Sequence, residues 1–450
     1  MAVAPSRAAA AKSLVLLGML AGRAAAAALR FTSAASTAGA PTSAPAGAAG
    51  VAGAAGAARG GEFSFEVLHR SRKPGSFARV GVIHTRHGDI ETPTFVPVGT
   101  NGALKGVTSA QADACGVQLM FCNTYHLLVH PGPEVVRAAG GLHAFIGRRR
   151  PIITDSGGFQ LFSLGDVARA PDGSALREAG ELKSRSRAAK EGSPCLLSVS
   201  ERGATFRSYR DGSRLLLTPE SSVAAQKAFG SDIIIPLDEL PSNDVGASAL
   251  RASVSRSHRW MARSLAEHER DRAGQAMYGV LHGGTDRALR AESAAFLAGA
   301  RFDGTAIGGS LGADRAEMLG LLADLRPALP AGRPVHLLGI ADELSVPAAV
   351  PFGIDSFDSC WPTRVARHGT LLTAAGRFNV RGTAHARDFG PIDRDVPELA
   401  DATAGASRAY MHHLLKQREP LFATLASMHN LAFMNWRMQR LREAILNDEL

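Results

Sequence analysis

Cysteine is scarce in this chain. There are four in 450 residues, Cys115, Cys122, Cys195 and Cys360, and no two form a Cys-x-x-Cys pair. That spacing excludes a disulfide scaffold and a four-cysteine zinc site. Acidic residues are missing from the first stretch altogether, since no Asp or Glu precedes Glu62. Long apolar runs are missing too. Ser13–Leu20 is apolar but too short to span a bilayer, so no membrane association is expected.

What is present describes a globular protein. Hydrophobic residues make up 45% and charged residues 20%, and a chain of this size buries a substantial core. The formal charge is +9, but five of those charges lie in residues 1–61, which leaves +4 for the rest. That mild excess permits an RNA partner without demanding one. Residues 1–61 are rich in Ala, Gly, Ser and Arg, which predicts an organelle-targeting leader for a plastid or mitochondrion. Ala24 to Ala28 would suit cleavage, and the stretch from Phe31 reads as transit-like. The alternative is an uncleaved low-complexity tail on a cytoplasmic protein.

From residue 62 the pattern changes. Arg79–His84 and Asp89–Phe95 alternate as an N-terminal β-hairpin turning at His87-Gly88. Eight apolar strands are then expected at Thr94–Val98, Val117–Cys122, Pro151–Thr154, Asp232–Leu237, Ala276–Leu281, Gly304–Ile307, Val335–Ile340 and Ser356–Asp358. Amphipathic stretches such as Pro219–Phe229, Ala249–Arg270, Asp286–Ala298 and Arg315–Leu325 separate several of them. Buried strands alternating with helices predict the α/β class and a TIM (β/α)8 barrel, whose carboxyl strand ends carry the chemistry. Residues 165–192 read as an inserted flexible loop, with RNA contact as the alternative. Thr205–Tyr209 and Ser213–Leu217 read as a hairpin through Asp211-Gly212, and Gly369–Val380 as another. Residues 386–446 form a C-terminal helical subdomain, within a domain running from 62 to 446. Its Phe433, Met434, Trp436 and Met438 are expected to pack rather than to bind a cofactor.

Two runs share one grammar. Ile354-Asp355-Ser356-Phe357-Asp358-Ser359 and Ile152-Ile153-Thr154-Asp155-Ser156-Gly157-Gly158-Phe159 are each an apolar strand ending on an aspartate. A carboxylate at such an exit is costly without a partner or a task. Asp358 either caps the next turn, pairs with Arg364, or carries chemistry. Gly157 and Gly158 let the backbone approach a ligand. Two carboxylates facing one pocket are the equipment for glycosyl transfer through a covalent intermediate.

From about Phe63 to the end, the chain resembles the tRNA-guanine transglycosylases, or queuine tRNA-ribosyltransferases. The resemblance is carried in order by Glu91–Thr100, Lys105-Gly106-Val107-Thr108, Asn123-Thr124-Tyr125-His126-Leu127, the Asp155 run, Phe302-Asp303-Gly304 with Ile307-Gly308-Gly309, the Asp358 run and Met428-His429-Asn430-Leu431. It implies exchange of the wobble guanine of a tRNA for queuine or a related 7-deazaguanine. Asp358 would be the nucleophile at the ribose C1′, Asp155 the general acid and base, and Phe159 a stacking face. Asp238 would accept from guanine N1–H and the 2-amino group, with Glu239 as the alternative occupant. Gly309 would offer a backbone N–H to O6. Lys105, Arg364 and Arg367 would meet tRNA phosphates, with Arg148–Arg150 as further candidates. A homodimer, or a heterodimer with a related subunit, is implied.

Three departures from that pattern stand out. His282 replaces the family's usual glutamine, which puts base selectivity in question or makes the residue structural. Gly312 stands where bacterial members tend to carry a larger residue, which favours the bulkier queuine, although Leu240 refills some space. The family's zinc positions fall on Glu398, Ala400, Thr403 and His429, and only His429 matches. One histidine does not make a four-ligand site, so no cofactor or metal is expected. The rival reading is a non-catalytic tRNA-binding subunit or a diverged pseudoenzyme. The archaeal branch, which modifies another tRNA site, fits less well because its extra RNA-binding domains have no room here.

Overall fold

The computed structural model describes residues 62–159, 196–241 and 245–450, all of which belong to one compact unit. The readings of residues 1–61 and 165–192 lie outside the described residues. Eight strands form one parallel sheet: β4 (Thr94–Pro97), β5 (Met120–Cys122), β6 (Ile152–Thr154), β10 (Ile233–Ile234), β11 (Ala276–Leu281), β12 (Gly304–Ile307), β13 (Val335–Leu337) and β14 (Ser356–Ser359). Each pairs with its neighbour in chain order, and β14 returns to pair with β4, Asp358 opposite Val96. Between β4 and β5 a parallel bridge, Val98 to Phe121, completes the ring. The result is a TIM-like α/β barrel. Its strands are buried along their length, as continuous apolar runs such as Ala276–Leu281 require when both faces are covered.

All eight expected strands are present, several shorter than expected. The helices Pro219–Phe229, Ala247–Glu269, Arg287–Gly299 and Arg315–Leu325 stand within two residues of their expected bounds. Their starts are encoded locally. Thr218 and Ser221 form a reciprocal capping box, and Asp286 accepts the N–H groups of Ala288 and Leu289.

Outside the barrel, β1 (Ser64–Arg70), β2 (Arg79–Thr85) and β3 (Gly88–Thr92) make an antiparallel sheet. A second such sheet holds β7 (Leu196–Ser200), β8 (Gly203–Arg207) and β9 (Arg214–Leu217), and β15 (Thr370–Thr373) pairs with β16 (Gly376–Asn379). At the C-terminus, the helix Arg408–Gln417 stops at Arg418 in the left-handed region (φ 60°), and Pro420 opens the helix Pro420–Leu446. Phe433, Met434 and Met438 of that helix are buried in the main core.

Candidate active site

Asp358 lies one residue before the end of β14, the strand between β13 and β4. Its Oδ1 accepts the Gly339 N–H at 2.9 Å and lies 3.0 Å from His336 Nε2. The other nitrogen of that ring, Nδ1, lies 2.8 Å from Ser356 Oγ. A serine hydroxyl donating to Nδ1 leaves Nε2 as the protonated nitrogen that donates to the carboxylate. Among the described residues, Oδ2 accepts no hydrogen bond. One oxygen is therefore anchored while the other is not, the arrangement a carboxylate nucleophile needs.

Asp155 follows β6 and is held more tightly. Asn123 Nδ2 donates to Oδ2 at 2.7 Å, while the N–H groups of Thr124 (2.7 Å) and Gly157 (3.2 Å) donate to Oδ1. Asn123 and Thr124 start the short helix after β5, so the loop of one strand orients the acid of the next. Gly157 has φ +85°, and a Cβ there would crowd the Tyr125 backbone nitrogen at 3.1 Å.

Asp238 leaves the third apolar run and is also buried. Ser156 Oγ donates to its Oδ1 at 3.2 Å, and a Cβ on Gly158 would meet its carbonyl oxygen at 2.7 Å. The Asp155 loop thus packs directly on Asp238. Burial, with Asp155 and Glu239 as like-charged neighbours, pushes the Asp238 carboxyl up to about 7 against the pull of Ser156. Glu239, the alternative occupant, is taken up by Arg256 at 2.5 Å.

His282 sits beside this acid, its Nε2 3.3 Å from Asp238 Oδ2 but closing no hydrogen bond. Burial, reinforced by Arg290 and His258, pushes its pKa down to about 3, so the ring is neutral. Arg290 is buried and gathers three carbonyls, from Leu281, Gly284 and Ser310, at 2.8–2.9 Å. It ties the loop carrying His282 to the loop carrying Gly309 and Gly312. Gly309 has φ +74° and space around its Cα. Gly312 has φ +107°, and a Cβ there would strike the Glu317 carboxylate at 2.5 Å. That carboxylate accepts the Ala313 N–H. Local backbone geometry therefore accounts for this glycine without appeal to a ligand.

The carboxyl ends of β6, β10, β11, β12 and β14 thus carry Asp155, Asp238, His282, Gly309 and Asp358. A family model described as queuine tRNA-ribosyltransferase matches residues 75–450. Curated relatives of that name include one from Protochlamydia amoebophila, 51% identical over 86% of this chain and 96% of its own length. Others from Chlamydia abortus and Chlamydia pneumoniae are 50% and 49% identical over 86% of this chain and 99% of theirs. The chain belongs to the queuine tRNA-ribosyltransferase family.

The positions where the resemblance implies zinc carry groups that do not suit the ion. Glu398, Ala400 and Thr403 lie on the 3₁₀ segment Pro397–Thr403, and Thr403 Oγ donates to the Ala400 carbonyl. His429 Nε2 lies 2.8 Å from the Leu372 carbonyl, so it must carry the proton and donate. Its pKa falls to about 4 through burial. Beside it, Asn430 accepts the Leu372 N–H and donates to the carbonyls of Pro362 and Thr370. An apolar cluster of Ala366, Leu371, Val380, Ile392, Met411, Leu414, Phe422 and Ala426 fills the same region.

One expectation changes for this family member. Arg148 is not a phosphate ligand: it is buried, and it bonds Asp113 and the carbonyls of Val117, Gln118 and Pro151. Phe159, expected as a stacking face, is 59% exposed. Lys105 is exposed on a loop, whereas Arg364 and Arg367 are half-buried in the helix Trp361–Arg367 after β14. His336, Gly339 and Arg290 were not singled out from sequence, and Asn123 only as part of a motif, without a role. His336 was the most findable, as a polar residue between Val335 and Leu337 in an apolar strand.

Proposed function

We propose that this chain exchanges the wobble guanine of tRNA for queuine or a related 7-deazaguanine through a ribosyl-aspartate intermediate. Asp358 Oδ2 attacks C1′, the C1′–N9 bond breaks, and Asp155 delivers a proton to the departing base. The incoming base then loses a proton to Asp155 and displaces the aspartate from C1′. Two inversions give retention, and one N-glycosidic bond replaces another of similar energy. Asp238 as carboxylate accepts the two parallel donors of the guanine edge. Neutral His282 supplies at most one donor toward O6, as does the Gly309 N–H. Phe159, exposed near Asp155, is free to stack on a base. Lys105, Arg364 and Arg367 meet the tRNA backbone.

The observation that carries this reading is the anchoring of Asp358 through one oxygen only, on the same rim as the fully anchored Asp155. We also read the C-terminal helices as held by Asn430 and apolar packing rather than by zinc. Residues 1–61 we read as a plastid or mitochondrial leader, and the assembly as a homodimer or a heterodimer with a related subunit. The test is incubation of the chain with labelled guanine and a tRNA bearing wobble guanosine. Incorporation that Asp358→Ala abolishes supports the enzyme. Binding of tRNA without incorporation by the natural chain supports the non-catalytic subunit.

A further inference from the structure

Three aspartates stand just before barrel strands at the amino end, and each caps the neighbouring strand. Asp355 accepts the Val335 N–H at 2.7 Å, Asp303 the Met277 N–H at 2.8 Å, and Asp232 the Ile152 N–H at 2.9 Å. Two of them have a guanidinium as counter-charge: Arg79 for Asp355, Arg272 for Asp303. The third does not. Asp232, 1% exposed, faces two imidazoles, His87 Nδ1 at 2.7 Å and His143 Nε2 at 3.1 Å. The two rings stack with centroids 3.5 Å apart. His143 Nε2 is buried and closes no hydrogen bond despite its closeness to the carboxylate.

We propose that His87, His143 and Asp232 bind one divalent first-row metal ion of the zinc class at the amino end of the barrel. The donor atoms already lie within 4.8 Å of one another. Bonds of about 2.0–2.2 Å to two nitrogens and one oxygen are the usual zinc set. Closing on an ion requires the contacts at 2.7 and 3.1 Å, which reach different oxygens of Asp232, to widen by a few tenths of an ångström, and the stacked rings to splay so that each in-plane lone pair aims at the ion. Asp232 is oriented by the Ile152 N–H, the kind of outer partner that fixes a ligand. His87, 31% exposed, leaves a side open to solvent for entry and for a water as fourth ligand. The three ligands come from the β2–β3 turn, the helix Leu142–Ile146 and the start of β10. The ion would pin that turn and that helix to the barrel floor, well away from the carboxyl-end rim. This site shares no residue with the family's zinc positions.

The test is zinc titration of the chelator-stripped full chain against a chromophoric competitor, with cobalt spectra alongside. One equivalent should bind, and His87→Ala and His143→Ala should each weaken it by more than about tenfold, the loss that even an outer partner's removal brings. His429→Ala should leave it unchanged. Bound cobalt should show weak visible bands without sulfur charge transfer. Where an alanine variant fails to fold, His143→Gln replaces it. Absence of stoichiometric zinc, zinc that survives the double variant His87→Ala/His143→Ala, zinc lost with His429→Ala, or a thiolate band would each overturn the proposal.

Discussion

Two of the three aspartates at the amino end of the barrel are held differently from those at its carboxyl end. At the amino end, Asp355 is clamped by Arg79 through two bonds of 2.6 and 2.9 Å, and Asp303 by Arg272. At the carboxyl end, Asp155 and Asp358 accept from backbone N–H groups, an amide and an imidazole, and Asp238 from a hydroxyl. The Arg79 guanidinium makes Asp355 a structural post, because it engages both oxygens and fixes the charge, whereas Arg272 holds only Oδ2 of Asp303. Neutral donors orient an acid yet leave it able to attack or to exchange a proton. On the proposed function, the same residue type serves stability below and chemistry above.

Substitutions on both ends put this contrast at risk. Asp358→Ala should lower base exchange by at least about 10³-fold while the melting temperature and tRNA binding hold. A simultaneous collapse of Tm would make Asp358 a post like Asp355. Arg79→Ala should strand a buried carboxylate and cost about 3–5 kcal/mol of unfolding free energy, read from denaturant midpoints, with kcat per folded molecule nearly unchanged. A smaller effect is expected from pH. Asp238 titrates near 7, so kcat/KM for a guanine-type base should climb as pH rises toward that value and level off above it. A flat profile from pH 5.5 to 8.5 would remove its acceptor role.

His282, with a folded pKa of about 3, and His268 and His429, each at about 4, are depressed by burial below the free imidazole value. The folded state then binds fewer protons than the unfolded chain. Their contribution is complete above about pH 6.5 and fades as pH falls toward those values. Tm should drop between pH 7 and 5, and by less in His429→Gln. The smallest effect belongs to Arg367→Ala: weaker tRNA binding, with the salt dependence of the affinity shallower by about one ion.

Sequence alone located the barrel well, because Ile152-Ile153-Thr154 or Ala276–Leu281 has no stable place except between two covered faces. It also located the acids, since a charged residue at the end of such a run stands out. It did not reveal what the acids touch. The anchoring of Asp358 by His336, and of Asp155 by Asn123, crosses from one strand to the next, and no local periodicity records that. Arg148 misled for the opposite reason: three consecutive arginines read as a basic surface, yet the first turns inward to satisfy carbonyls. Gly312 was read from its small size, while its backbone angle and Glu317 turn out to require it.

The single guanidinium of Arg290 couples two loops that would otherwise vary independently. Any change that shifts the carbonyls of Leu281 or Gly284 is transmitted to Ser310, and so to the glycines beyond it. A designer who wants this protein to accept a different base would gain little by redrawing one loop around the old arginine; both must be rebuilt as a pair.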